Sequence, residues 1–273
     1  MSGFWRYNVS KATGSAGKWR DRYELHPYYR RKFGQGAYLL RNFKQQIRAG
    51  HVEKGVAEGA ARRGAVFLKG DVRGKCFIEY IPAEYAWVPI LAEGYMHINC
   101  FWVAGSSKGC GYGDELLEQC IADAKEKGKA GLTVISSAKK KPFLSDPKYL
   151  AHKGFRAADT AEPFFELWYL PFAEEAETPG FKDCAKAPGC EGQGFVLYYT
   201  NGCPFTAKYV PLLKQCADER GIGLTVIKID SREKAQNAPA AWTNFALFHN
   251  GKFMTNEILS EKKFLALADS LCG

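Results

Sequence analysis

The chain has 273 residues, enough for about two domains, and its 46% hydrophobic and 14% aromatic content argues against a disordered protein. The formal charge of +9 arises in residues 1–64, which hold 14 of the 38 basic residues but only 4 of the 29 acidic ones. No apolar run reaches the roughly 18 residues that a membrane span needs, and charges run through the first 30 residues, so we expect neither a membrane span nor a secretory signal.

The basic region, residues 1–62, gives no clear pattern of elements. Residues 28–32 and 41–48 mix aromatic rings with positive charge, as a nucleic-acid arm would. The alternative is a solvated basic helix or a lead-in without regular structure. We favour the alternative and expect no nucleic-acid partner.

Residues 63–172 carry alternating strand and helix patterns. Apolar runs with β-forming residues predict strands, and periodic runs with charges on one side predict helices. The predicted strands are residues 65–70, 75–81, 95–103, 131–137, 155–158 and 164–170; the predicted helices begin near residue 114 and cover 143–153. The order ββ-β-α-β-α-ββ indicates an α/β (α+β) layer with a mixed sheet.

The most informative stretch is residues 99–127, which predicts a strand, a glycine-rich turn and an amphipathic helix. A strand that leads through glycines into a helix N-terminus forms an anion site, because the first N–H groups of the helix have no partner and its dipole is positive there. Asp114 and Glu115 stand where the Walker A loop needs Lys and Ser or Thr, and the dinucleotide fingerprint is also absent.

Lys108, Gly111 and Gly113 instead form a basic-x-x-G-x-G pattern, which resembles the loop of the GNAT acyltransferases. The resemblance covers residues 63–172 and implies that acetyl-CoA is bound, with its pyrophosphate on the loop and its pantetheine arm on the preceding strand. The cofactor residues that it implies are Trp102, Val103, Lys108, Gly109, Cys110, Gly111, Tyr112, Gly113 and Asp114.

Direct transfer of the acetyl group to an amine needs proximity, a polarised carbonyl and a proton acceptor. Glu79, Glu84 and Glu93 lie on strands or loops that could flank the acceptor, and His97 lies on the strand before the loop. We take Glu93 and His97 as the candidate bases. A deprotonated amine or a water relay would make a dedicated base unnecessary.

A tyrosine four residues before a Gly-Phe pair protonates the leaving thiolate in many members of the family that the chain resembles. Counted from Gly154, that position holds Leu150, and its neighbour Tyr149 is expected to point elsewhere. Tyr149 is nevertheless the tyrosine nearest to that position, and we take it as the candidate acid.

Residues 173–193 have the composition of a linker, and residues 194–273 then predict the order βαβαββα, with a hairpin at Asn250 and Gly251. This order resembles the thioredoxin fold, with Cys203 at the redox position. The second redox cysteine is replaced by Thr206, and the expected cis-proline by Thr243. At a helix start, Cys203 is expected to have a lowered pKa.

Nine cysteines, an odd number in a chain of this size, predict free thiols in a reducing cytoplasm. Cys100 and Cys120 fall on apolar faces and are predicted to be core residues. Cys184 and Cys190 lack further ligands nearby, so we expect no metal.

The combination resembles the YoaP-type two-domain acetyltransferases from residue 64 onward. It implies a CoA-dependent N-acetyltransferase with a small-molecule or peptide amine acceptor. Two alternatives stay open: a thiol-active thioredoxin-like protein that uses Cys203, and a non-catalytic CoA-binding module.

Overall fold

A computed structural model of the chain describes residues 19–24, 64–70, 72 and 74–272, of which 19–24 and 272 are described by their backbone alone. The predictions for residues 1–62 therefore lie outside the described residues, except that strand β1 (Trp19–Glu24) joins the first sheet beside residues 66–70.

Seven strands form the first sheet, in the order β1-β2-β3-β5-β6-β8-β7. Besides β1, they are β2 (Val66–Gly70), β3 (Cys76–Pro82), β5 (Tyr95–Val103), β6 (Gly131–Ser137), β7 (Arg156–Ala161) and β8 (Phe165–Pro171). Strands β5 and β6 run parallel, and the other neighbours are antiparallel. The predicted α/β class with a mixed sheet is confirmed.

One face of this sheet is covered by helices α1 (Tyr112–Glu126) and α2 (Pro147–His152). Leu116 and Leu117 of α1 are almost fully buried against the strands. Burial of a leucine side chain contributes about 1.5–3 kcal/mol, so this apolar stripe fixes the helix on the sheet. The buried Tyr80 hydroxyl donates a hydrogen bond to Asp123 Oδ2 over 3.0 Å and ties β3 to the helix.

A second sheet follows, in the order β11-β10-β12-β13 with three helices. Its elements are β10 (Phe195–Tyr199), α4 (Pro204–Glu219), β11 (Leu224–Lys228), α5 (Arg232–Gln236), β12 (Phe245–His249), β13 (Lys252–Thr255) and α6 (Glu261–Cys272). The predicted element order is present, and Asn250 and Gly251 form the hairpin turn with φ of 48° and 79°. None of the helices in the described part of the chain has the length and apolarity to cross a bilayer.

The segment predicted to be a linker is folded onto the first sheet. It contains β9 (Gly180–Phe181), which pairs with β4 (Ile90–Leu91), and helix α3 (Asp183–Lys186). The Phe181 side chain is buried, and its N–H donates to Asp159 Oδ2 over 2.9 Å. The linker assignment was based on composition and missed this buried phenylalanine.

The second sheet packs against the face of the first sheet that lies opposite α1. Phe253 of β13 meets the Phe165 ring edge to face, with centroids 5.7 Å apart. The Gln236 side chain donates to the carbonyl oxygens of Glu84 and Ala86, each over 3.0 Å. Polar and apolar contacts together hold the two sheets in one arrangement.

Thr243, the residue in place of the expected cis-proline, links the two sheets. Its buried hydroxyl donates to the Trp87 carbonyl oxygen over 2.6 Å. We expect Thr243→Val to lower the free energy of unfolding by about 1–3 kcal/mol, because the shape is kept while a carbonyl loses its partner. Denaturant unfolding measures this; Thr225→Val, at an exposed site on β11, is the control. Equal losses in both variants would contradict the role of the hydrogen bond.

Candidate active site

The parallel strands β5 and β6 separate halfway along their length. They pair from Tyr95 with Gly131 to Ile98 with Val134, and no further. Strand β5 continues to Val103, and its residues change at Asn99 from buried to partly exposed. Within the described residues, β5 therefore has a backbone edge without a strand partner beside the glycine loop. Such an edge can hydrogen-bond an extended chain that contains amides.

A β-bulge lies where the strands separate. Glu79 of β3 pairs with Cys100, whereas Tyr80 pairs with Ile98, so Asn99 is the extra residue. Because of this extra residue, Ile98 and Phe101 both pack on the α1 side. Cys100 and Glu79, which are paired, then lie on the opposite face, which we call the acceptor face.

The glycine loop joins β5 to α1 and is open to solvent. Gly105, Gly109 and Gly111 have φ of 64°, 76° and 81°, and a Cβ on any of them would meet no atom within 4 Å. Gly111 is the N-cap of α1, and no described side chain caps the helix. The Lys108 N–H already donates to the Gly105 carbonyl over 3.2 Å, so this amide is not available to an anion.

Gly113 has a different role from the one predicted. It lies inside α1, where a Cβ would be 3.4 Å from the Tyr149 hydroxyl and 3.8 Å from Phe101 Cζ. The glycine therefore allows close packing of helix and tyrosine, whereas Gly109 and Gly111 leave the loop backbone open. Among the other predicted loop residues, Lys108 and Cys110 are exposed and Tyr112 begins α1.

Tyr149 lies against the loop, contrary to the expectation that it points elsewhere. Its ring meets Phe101 edge to face at 5.5 Å, and its hydroxyl donates to Asp114 Oδ1 over 3.0 Å. Lys153 forms an ion pair with Asp114 over 2.9 Å and lowers the pKa of that carboxyl. Burial and the Asp114 carboxylate raise the pKa of Tyr149, so its hydroxyl stays protonated at neutral pH. Leu150, by contrast, is buried in the core.

The two candidate bases lie apart from the loop. Burial lowers the pKa of His97 to about 3, and its neutral ring lies 3.0 Å from Thr133 Oγ1 through Nδ1. Glu93 is exposed in the turn before β5, whereas the loop follows the far end of this nine-residue strand. At about 3.3 Å per residue, the strand separates Glu93 from the loop by roughly 30 Å. The structure does not bring Glu93 and the loop together, and it makes His97 a core residue.

Glu79 is the carboxylate that the structure places at the separation point. Asn99 Nδ2 donates to Glu79 Oε1 over 3.0 Å, and burial raises the pKa of the carboxyl above its ordinary value. Its signal in the sequence is a single carboxylate inside the apolar run of β3. The sequence could not rank Glu79 above Glu84. The structure separates the two, because Glu84 forms an ion pair with Lys129 over 2.9 Å.

Cys203 is the N-cap of α4 and faces the same region. Burial raises the pKa of its thiol to about 11, although the N–H groups of Phe205 and Thr206 act in the opposite direction. The expectation of a lowered pKa is therefore wrong, because loss of solvent outweighs the helix terminus. Cys100 is half-buried and faces Glu79, and burial raises the pKa of its thiol as well, whereas Cys120 is a core residue as predicted.

Known proteins resemble the chain in sequence and in fold. The YoaP-like family model matches residues 224–265. A GNAT family acetyltransferase from Brucella melitensis in complex with acetyl-CoA is 18% identical, with 56% of this chain and 94% of that chain covered and a TM-score of 0.32. A GNAT acetyltransferase from Staphylococcus aureus Mu50 is 14% identical, with 50% and 90% covered and a TM-score of 0.35.

One curated relative matches most of the chain. YoaP of Bacillus subtilis (strain 168), described as an uncharacterized N-acetyltransferase, is 40% identical over 228 residues, which are 84% of this chain and 91% of YoaP. Identity at this level over most of both proteins is a family relationship. The chain belongs to the YoaP family of N-acetyltransferases.

Proposed function

We propose that the chain is an N-acetyltransferase that transfers the acetyl group of acetyl-CoA to an amine on the acceptor face of the first sheet. The observation that carries this proposal is the separation of β5 from β6 after Ile98, which, among the described residues, leaves the strand edge of residues 99–103 unpaired on that side up to an open glycine loop. Acetyl-CoA is the co-substrate of such enzymes, and the family name of the relative agrees with the reaction.

The loop and β5 suit the two halves of CoA. The amides of residues 109–114 and the positive end of α1 favour a pyrophosphate, and exposed Lys108 adds a charge. The free edge of β5 near Trp102 and Val103 favours the amides of the pantetheine arm. Lys153 holds the Asp114 carboxylate through an ion pair, which reduces its repulsion of a phosphate.

Glu79 is the proposed base. A carboxylate with a raised pKa is a better match to an amine proton at neutral pH than an ordinary glutamate is. Backbone N–H groups of β5 beyond the bulge would polarise the thioester carbonyl, and CoA would leave as a thiolate. Tyr149 is protonated and lies near the loop, so it stays our candidate for protonating this thiolate.

The two alternatives predict different outcomes. A redox protein would need a thiolate at Cys203, and the raised pKa of this thiol argues against one at neutral pH. A non-catalytic module would bind acetyl-CoA without releasing CoA when an amine is added. We also propose that residues 194–273 form a thioredoxin-like domain fused to the transferase domain at 63–172, and that the protein works in a reducing cytoplasm.

A screen of small amines and peptides tests the proposal. We expect acetyl-CoA to raise the melting temperature, and at least one amine to increase CoA release, measured with a thiol reagent after CoA is separated from the protein. Failure of acetyl-CoA to stabilise the protein would overturn the proposal. Stabilisation without any amine-dependent release would favour the non-catalytic module.

A further inference from the structure

Three groups that can exchange protons meet on the acceptor face. Glu79 of β3 pairs with Cys100 of β5, and both interact electrostatically with the Cys203 thiol of α4. The cluster therefore joins the two sheets: the first contributes the carboxylate and one thiol, and the second contributes the other thiol. No cluster of His, Cys, Asp and Glu in the described part of the chain is arranged to hold a metal ion.

A lysine and two aromatic rings hold the start of α4 over this cluster. Lys75 Nζ lies 3.9 Å from the centre of the Trp102 ring on β5 and 4.9 Å from that of Phe205 on α4. Contacts of this kind are attractive, because the negative face of an aromatic ring interacts favourably with a cation. Phe205 is two residues from Cys203 and Trp102 is two residues from Cys100, and the two thiols are close enough to interact electrostatically.

The Thr206 side chain holds the backbone around Cys203 in place through its hydroxyl group. Its hydroxyl lies 2.7 Å from the Thr200 carbonyl oxygen and 2.6 Å from the Cys203 carbonyl oxygen, and the residue is fully buried. The position that would hold a second redox cysteine is thus used for structure. Cys203 therefore has no second thiol at position 206 in its own turn, and the groups near its sulfur include Glu79 on the acceptor face.

We propose that Cys203 is an acyl acceptor, which takes the acetyl group of acetyl-CoA as a thioester on its own sulfur. This inference rests on the proposed function, because it needs acetyl-CoA bound along β5 with its thioester near the bulge. The Cys203 S–H bond breaks and its proton passes to the Glu79 carboxylate. The sulfur then bonds to the acetyl carbon while the carbon–sulfur bond to CoA breaks, and the CoA thiolate takes up the proton. No oxidant or reductant is consumed.

The chemistry is consistent with the environment of the thiol. One thioester is exchanged for another, so little driving force is needed and the step is reversible. The thiol is protonated at neutral pH and requires a base, as an amine acceptor would, and Glu79 serves both. An acetyl group on Cys203 would lie on the face where we propose that the amine binds, so the thiol could pass it on.

The test is incubation of the full-length protein with acetyl-CoA, followed by intact mass measurement. We expect a mass increase of one acetyl group, removed by neutral hydroxylamine and by excess CoA, and located at Cys203 by peptide mapping. Cys203→Ser should lose the hydroxylamine-sensitive label. Cys184→Ser, at an exposed cysteine outside the cluster, should keep it.

Each other result overturns the inference. A protein that acetyl-CoA stabilises but does not label, a label on Cys100 or Cys110, or a label that persists in Cys203→Ser would exclude Cys203 while leaving the proposed N-acetyltransferase intact. Absence of stabilisation by acetyl-CoA would remove both proposals together. Labelling of the wild type needs no variant, so the test does not depend on whether Cys203→Ser folds.

Discussion

Glu79→Gln should reduce kcat by about 10²–10⁴-fold while leaving the affinity for acetyl-CoA unchanged, because the carboxylate is lost and the loop is untouched. The glutamine oxygen can still accept the hydrogen bond from Asn99 Nδ2, which spans 3.0 Å in the wild type. The comparison therefore isolates proton acceptance from the local geometry. Steady-state kinetics with the best amine from the screen, and titration with acetyl-CoA, measure the two quantities.

The pH profile gives a second measurement of the same group. A base must be ionised, so kcat/KM should fall as the pH falls through the pKa of Glu79, which burial raises. An ordinary glutamate has a pKa of about 4.3, and this acidic limb should lie at a higher pH than that. The limb should disappear in Glu79→Gln. A raised carboxyl pKa also costs stability as the pH rises through it, so the variant should be no less stable than the wild type at neutral pH.

Glu93→Gln distinguishes the two carboxylates. Glu93 is exposed in the turn before β5, at the opposite end of the strand from the loop, so its variant should keep wild-type kcat and the wild-type pH profile. A large loss in Glu93→Gln together with a normal Glu79→Gln would exclude Glu79 as the base. Losses in neither variant would favour a deprotonated amine or a water relay.

The sequence predicted the elements well because their signals are local. Apolar periodicity located α1 and the strand Tyr95–Val103, whose bounds the structure reproduces. The turn at Asn250 and Gly251 followed from backbone preference alone. These features depend on neighbours within a few residues.

The arrangement of the acceptor face could not be predicted in the same way. The bulge at Asn99 reverses the alternation of β5 and moves Cys100 from an apparent core position to the face with Glu79. The contact of Lys75 with Phe205 joins residues 130 positions apart, and no local pattern reports it. The pKa of Cys203 could not be predicted locally either. Burial raises this pKa and outweighs the effect of the helix terminus that the sequence suggested.

The loop itself gives the second large effect, at Gly111. We expect Gly111→Val to weaken acetyl-CoA binding by at least tenfold, about 1.4 kcal/mol, as measured by calorimetric titration. Gly111 has φ of 81° at the N-cap of α1, a conformation that a β-branched residue avoids. With nothing within 4 Å of the added Cβ, the valine would project into the space that we assign to the pyrophosphate.

Gly128→Val separates blocked binding from backbone strain. Gly128 follows the other end of α1, has φ of 65° and also has no atom within 4 Å of an added Cβ. Both variants should lose stability by a similar amount, on the order of 1–3 kcal/mol, because both force valine into the left-handed region. Only Gly111→Val should also lose acetyl-CoA, since Gly128 lies at the negative end of the helix dipole, away from the loop. An equal loss of affinity in the two variants would mean that backbone strain, and not occupancy of the site, controls binding. Wild-type affinity in both variants would mean that the pyrophosphate lies elsewhere.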